Sequence, residues 1–220
     1  MNPQPQRARH VVPSANLPGR IIGDAGDERQ EIVEVTELLI SSRQNISARR
    51  LIDPGPDAHE LDCMLRAAAA APDHEQIVPW RFVVVPLDKR AALGAAFAGC
   101  LLDRDPDAGP VEIDSARQKA HRAPLLLLAI ARLAPDGHEV PDAERLVSLG
   151  CAIQNMLLTA HALGFGAGLT SGRALRSPRL RELFRLVANE QPVCFVNVGT
   201  VGKRKPMRVR PAPEAFTSTL

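Results

Sequence analysis

Seven consecutive apolar residues, LLLLAIA from Leu125 to Ala131, constrain this chain more than any other stretch. No polar position interrupts them, so the segment offers no face to water. At strand length such a run suits a β-strand buried on both sides, its side chains alternating between two cores. By periodicity alone it fits a buried helical segment equally. If it is a strand, the sheet that contains it needs a layer on each face.

The flanking sequence supplies helices for those layers. Val35, Leu38 and Leu39 share one helical face up to Ser41. Asp57 opens a second helix, with Glu60 three residues on as a capping box, and Pro72 stops it. Helices are expected over Asp88 to about Leu102 and over Ile113 to His121. A long one should open at Pro141 and end near Gly164, and a short one should be capped by Ser177 and begun by Pro178. RFVVV (Arg81 to Val85) and VCFVNVGTVG (Val193 to Gly202) read as strands. Few strands among many helices predict an α+β domain with helices over a small sheet. Residues 1–34 are read as an extended or flexible arm, and 35–220 as the folded domain.

Length and composition, 220 residues with 45% hydrophobic and 24% charged, suit one domain. A net charge of +2 gives no global field toward nucleic acid or an anionic membrane, so neither is expected as a partner. A basic cluster, Lys203, Arg204, Lys205, Arg208 and Arg210, stands out locally. Cys63, Cys100, Cys151 and Cys194 are widely spaced and read as reduced core thiols of a cytoplasmic protein. The proline-broken N-terminus lacks the apolar core of a signal peptide. The apolar run from Leu146 to Leu163 contains Gln154, Asn155 and His161, so it reads as a buried helix rather than a membrane span.

Three stretches have the chemistry of a site. GFGAGLTSG (Gly164 to Gly172) is glycine-rich but follows a helix, so it is a poor dinucleotide fingerprint; a helix cap with a flexible connection, or close approach by a flat ligand, are the readings left open. RQNISARRL (Arg43 to Leu51) begins with a guanidinium and two amides, the donor mixture that a phosphate takes. APDHEQIVPWRF (Ala71 to Phe82) places Asp73, His74 and Glu75 just after a helix end. No nucleophile elbow and no metal-ligand spacing accompany these residues, so neither a hydrolase triad nor a metal site is expected, and His74 alone reads more readily as a helix-end hydrogen-bonding residue than as a catalyst.

In order and spacing, APDHEQIVPWRFVVV, LVSLGCAIQNMLLTAHALGFG and CFVNVGTVG resemble the small branch of the nitroreductase family, over about residues 35 to 213. The resemblance implies an α+β fold whose small mixed, mainly antiparallel sheet is covered by helices on both faces. It implies a homodimer with FMN at the interface. It also implies hydride transfer from NADPH or NADH through the flavin to a small-molecule acceptor, nitro-aromatic or quinone. By position, Arg43, Gln44 and Asn45 would hold the phosphate and ribityl chain, with Arg208 or Arg210 restoring charge where Gln44 replaces a basic residue. Ala70 falls where some members place an arginine from the partner chain. Asp73, His74 and Glu75 fall beside the flavin, with His74 a cofactor contact. Leu169, Thr170 and Ser171 match a flavin-contacting segment that often holds tryptophan. Thr159 to Gly164 matches a segment assigned to the nicotinamide cofactor, although a helix this apolar reads as packed. Other readings are a flavin-consuming oxygenase of the same fold and a non-catalytic flavin or small-molecule binder.

Overall fold

The structure, a computed structural model, describes residues 25–134, 139–204, 206 and 209–220. The chain divides into two units, residues 1–38 and 39–220. Helix α1 (Ala25–Ser42) runs across that boundary and starts well before the segment that the periodicity marked as helical. Asp27 and Glu28 sit in its first turn, where the positive end of the helix dipole favours acids. Within the first unit the Gln30 amide donates to Glu34 Oε1 over one turn.

The second unit is built on a five-stranded sheet in the order β1-β5-β3-β2, with β4 also paired to β5. The strands are β1 (Leu51–Ile52), β2 (Trp80–Val84), β3 (Leu125–Arg132), β4 (Gly166–Thr170) and β5 (Glu190–Val201). Every ladder is antiparallel. The parallel element among the described residues is an isolated bridge from Asn45 to Ala167. LLLLAIA is therefore a strand, and it is buried on both faces. Leu125, Leu127, Ala129 and Ala131 belong to one core, and Leu126, Leu128 and Ile130 to another.

The helices form the two layers that this alternation requires. On the first face lie α2 (Ala58–Ala69) and α5 (Asp142–Ala162). On the second lie α3 (Arg90–Leu102) and α6 (Pro178–Leu183), with α4 (Pro110–Gln118) packed on α3. Local chemistry sets the ends of these helices. Asp57 and Glu60 form the reciprocal capping box at α2, at 2.8 and 2.9 Å. Ser177 caps α6 ahead of Pro178. At the end of α5, Gly164 takes φ +89°, and the amides of Gly164 and Phe165 return to the carbonyls of His161 and Ala160. That pair of bonds is a Schellman stop.

Three expectations need correction. GFGAGLT is not a flexible connection, because Gly166–Thr170 is a strand of the sheet. Its glycines admit the chain's own backbone: a Cβ on Gly168 would stand 2.1 Å from the Ile46 carbonyl oxygen. Helix α5 is not buried all round. Its covered stripe includes Ser148, Leu149, Ala152, Ile153, Met156, Leu157 and Ala160, whereas Leu146 and Val147 are exposed. Asn155 on its covered side donates to the Ala67 carbonyl on α2 at 3.0 Å. Finally, Cys100 and Cys194 are buried, whereas Cys63 and Cys151 are only partly so; all four are free thiols.

Candidate active site

The chain leaves α1 at Ser42 and runs beside the free edge of β4. Asn45 bridges Ala167, the Ile46 amide donates to the Ala167 carbonyl at 2.9 Å, and Asn45 Oδ1 accepts from the Leu169 amide at 3.4 Å. Two of the expected site segments, Arg43 to Asn45 and Leu169 to Ser171, are thus brought together. Part of Asn45 is used to hold the edge rather than to face a ligand.

At the Gly166 end of this edge is a small corner lined by Arg43, Gln44, His161, Gly166 and Arg204. Arg210 reaches back to donate to the Arg43 carbonyl at 2.9 Å. Burial, and then the neighbouring Arg210, pull the Arg43 guanidinium below its ordinary pKa. Arg43 Nε is buried with no hydrogen-bond partner among the described residues. His161 shares a 2.8 Å hydrogen bond with Ser42 Oγ. Burial, then Arg204 and Arg43, hold its pKa below the usual imidazole value. No carboxylate lines the corner among the described residues. Cations gathered here, one of them carrying an unused buried donor, are the kind of groups an anion takes. Arg208 lies outside the described residues.

At the other end of the edge, Thr170 and Ser171 line a cavity of about 590 Å3, within the usual range of roughly 300–1,000 Å3 for small-molecule sites. Ala48, Leu126, Phe195 and Asn197 also line it. Buried Asn197 fixes this end of β4 by donating to the Gly168 carbonyl at 3.2 Å and to Thr170 Oγ1 at 3.0 Å. One carboxylate, Glu112, lines it as well, together with Arg104, Lys119, Arg122 and Arg173. None of these four was singled out from the sequence. They sit in the connection after α3, the turn after α4 and the turn after β4, and only the tertiary fold collects them.

The remaining expected residues lie elsewhere. Ala70 and Asp73 line a separate cavity of about 530 Å3 with Trp80 and Phe82. His74 Nδ1 is 2.8 Å from Glu144 Oε1, near the start of α5. Glu75, Gln76 and Val78 all have positive φ, at 58°, 55° and 46°. Side chains bearing a Cβ rarely adopt that conformation, β-branched valine least of all. The Asp73 carboxylate helps to hold the turn, with Oδ2 accepting from the Val78 amide at 2.8 Å, while Oδ1 is buried without a partner among the described residues. Strain of this kind gathers at functional sites. Trp80 is buried in the core that faces α2 and α5, a structural role.

His74 meets one end of α5 through Glu144, and Ser42 meets the other end through His161. Glu144 and His161 are 17 residues apart, about 25 Å of helix at 1.5 Å per residue. The phosphate-type corner and the His74 turn of one chain therefore stand at opposite ends of that helix. Thr159, in the segment matched to a nicotinamide site, turns its hydroxyl back to the Asn155 carbonyl at 2.9 Å, and Ala160 is buried in the core. This is the packing expected of an apolar helix. Among the described residues there is no metal-binding cluster, and no helix is long and apolar enough to cross a membrane.

The fold is that of an α+β protein with a small antiparallel sheet sandwiched between helices, and it carries a basic corner and a roomy cavity along one strand edge. The chain belongs to the nitroreductase family, whose sequence profile matches residues 43–200. It is 36% identical over 169 residues to the "Putative NAD(P)H nitroreductase YdjA" of Escherichia coli (strain K12), covering 76% of this chain and 88% of that protein. In fold it is similar to the crystal structure of a nitroreductase-like family protein from Bacillus cereus, with a TM-score of 0.72, 18% identity and coverage of 83% of this chain and 94% of the other. It is also similar to an FMN-dependent nitroreductase from Clostridium difficile R20291, with a TM-score of 0.58, 19% identity and coverage of 82% and 96%. The chain is an oxidoreductase of this family.

Proposed function

We propose that this protein is a homodimeric, FMN-dependent NAD(P)H oxidoreductase that passes hydride to a small-molecule acceptor such as a nitro-aromatic or a quinone. The observation that carries the reading is the corner at Arg43, with its unused buried Nε, joined along β4 to the cavity at Thr170 and Ser171. Its donors suit a phosphate monoester: guanidinium groups from Arg43 and Arg204, the Gln44 amide and the His161 ring. From Gly166 to Thr170 the strand advances about 13 Å at 3.3 Å per residue, a fitting span for a ribityl chain leading to a ring. The names of the relatives agree: one is named "Putative NAD(P)H nitroreductase YdjA", and one fold neighbour is described as FMN-dependent.

FMN supplies the hydride chemistry when bound. This chain's own residues do the rest. Arg43, Gln44 and Arg204 hold the phosphate. Asn45 and Asn197 fix the strand edge against which the ring would lie. Thr170 and Ser171 offer hydroxyls and amides at the ring end, and Leu126 and Phe195 keep the cavity floor apolar. The 25 Å separation along α5 supports the dimer. A flavin mononucleotide held at Arg43 is too short to reach His74 of the same chain, so contacts from Ala70 and His74 would come from a second copy.

The visible spectrum of the purified protein, before and after FMN is added, tests this reading, together with NAD(P)H oxidation in the presence of menadione. A protein that stays colourless, takes up no FMN and oxidises neither nucleotide sinks it.

A further inference from the structure

FMN carries one phosphate, but the β4 edge has cations at both of its ends. One set is the Arg43 corner. The other rims the main cavity: Arg104, Lys119, Arg122 and Arg173. The single carboxylate among the lining residues, Glu112, is already engaged, with Oε2 accepting the Gly109 amide at 3.0 Å as the cap of α4. No ion pair among the described residues engages any of the four cations. Arg122 is partly buried, and its one hydrogen bond among the described residues, to the Ser115 carbonyl, is long at 3.5 Å. Its charged neighbour is another cation, Arg49. Like charges gathered at a cavity mouth repel one another, and an anion bound there would offset that repulsion.

We propose that this rim is a second anion site, which selects a redox partner bearing a carboxylate or phosphate group. The proposal rests on the flavin reading of the cleft and adds the substrate class to it. The flavin phosphate belongs at the Arg43 corner, about 13 Å along the strand. The rim is therefore left for the molecule that enters beside the ring. A flat acceptor with one carboxylate gains charge-assisted hydrogen bonds from Arg122 and Arg173. Its uncharged amide, of nearly the same size and shape, gains none.

The experiment uses the full chain reconstituted with FMN, so that the corner is filled, and no hydride donor. 4-Nitrobenzoate and 4-nitrobenzamide are titrated separately, and binding is read from the flavin absorption. The carboxylate is expected to bind on the order of tenfold more tightly, the scale of one charge-assisted bond. Arg122→Gln and the more exposed Arg173→Gln should each erode that preference and leave the amide's affinity alone. Added salt should weaken the carboxylate only. Equal affinities in the wild type, or a preference untouched by both substitutions, overturn the proposal and leave the flavin reading standing. If the protein takes up no FMN, the flavin reading fails instead. The same pair is then compared by calorimetry on the protein as purified, where a carboxylate preference supports the anion site and its absence overturns it. Adenosine 2′,5′-bisphosphate separates the two sources of the anion. If it displaces nitrobenzoate, the rim serves the phosphates of the nicotinamide donor; if it does not, the rim serves the acceptor.

Discussion

Arg90 shows how much a single side chain can hold. Almost wholly buried, it donates to the carbonyls of Val85, Ala120, Ala123 and Pro124, at 2.6 to 3.2 Å. It ties the end of β2 to the turn that feeds β3. Arg90→Met keeps the bulk and leaves these carbonyls without their donor, at about 1–3 kcal/mol for each that water cannot reach. Urea denaturation should show a loss of about 3 kcal/mol or more, and Arg90→Lys, with its single point of charge, should recover only part of it. His161 makes a different prediction. Its folded pKa lies below the ordinary value of 6.5 because of burial, Arg204 and Arg43. The unfolded chain therefore takes up the proton first as pH falls. The stability contributed by the neutral ring is fully present above the unfolded pKa and is lost as pH falls through the folded one. The melting temperature of the flavin-free protein should drop more steeply between about pH 7 and pH 5 than that of His161→Asn. A phosphate bound at the corner favours the charged ring, so the flavin-loaded protein should lose less.

At the scale of elements, β4 joins fold to site, and Gly168 is the test. A side chain there must displace the Ile46 carbonyl, since the Cβ would lie 2.1 Å from it. Gly168→Ala should therefore push the Arg43–Ile46 segment off the strand edge. Flavin retention measured by filtration should fall at least on the order of tenfold, the value of one charge-assisted hydrogen bond to the phosphate. This junction was also the hardest part to read from sequence. β3 and β5 announce themselves by apolar runs, and the α2 cap by Asp57 and Glu60. GAGLT carries no alternation, because its glycines exist to admit a neighbouring backbone, and β1 is only two residues long. The same logic applies to the site. Arg43, Thr170 and Ser171 lie in segments with a local signature. Arg104, Lys119, Arg122 and Arg173 look like ordinary surface cations until α3, α4 and β4 converge. His74 stood out in the sequence, but its partner Glu144 lies 70 residues away.

For the whole molecule, the two ends of α5 give a complementation test of the proposed dimer. Arg43→Ala damages the corner, and His74→Ala damages the turn at the far end. If each site draws on both ends from different chains, a mixed dimer of the two variants has one site with both lesions and one with none. Co-expression with two different tags, followed by tandem purification, should yield a heterodimer that holds about half the wild-type flavin, whereas each single-variant homodimer holds less. Flavin content no better in the heterodimer than in the homodimers would mean that each site is built within one chain.

β5 also bears on how this protein is made. That strand pairs with β1, β3 and β4, and it follows all three along the chain. On the ribosome, β3 emerges 58 residues before β5 begins, which is roughly 3–12 s at about 5–20 residues per second. Throughout that interval LLLLAIA can pair with β2 along one edge only, so the nascent chain carries an unpaired backbone edge on a strand whose side chains are all apolar. Synthesis of this chain thus includes a period in which a chaperone, or slow concentration-dependent association, competes for the place that β5 finally takes.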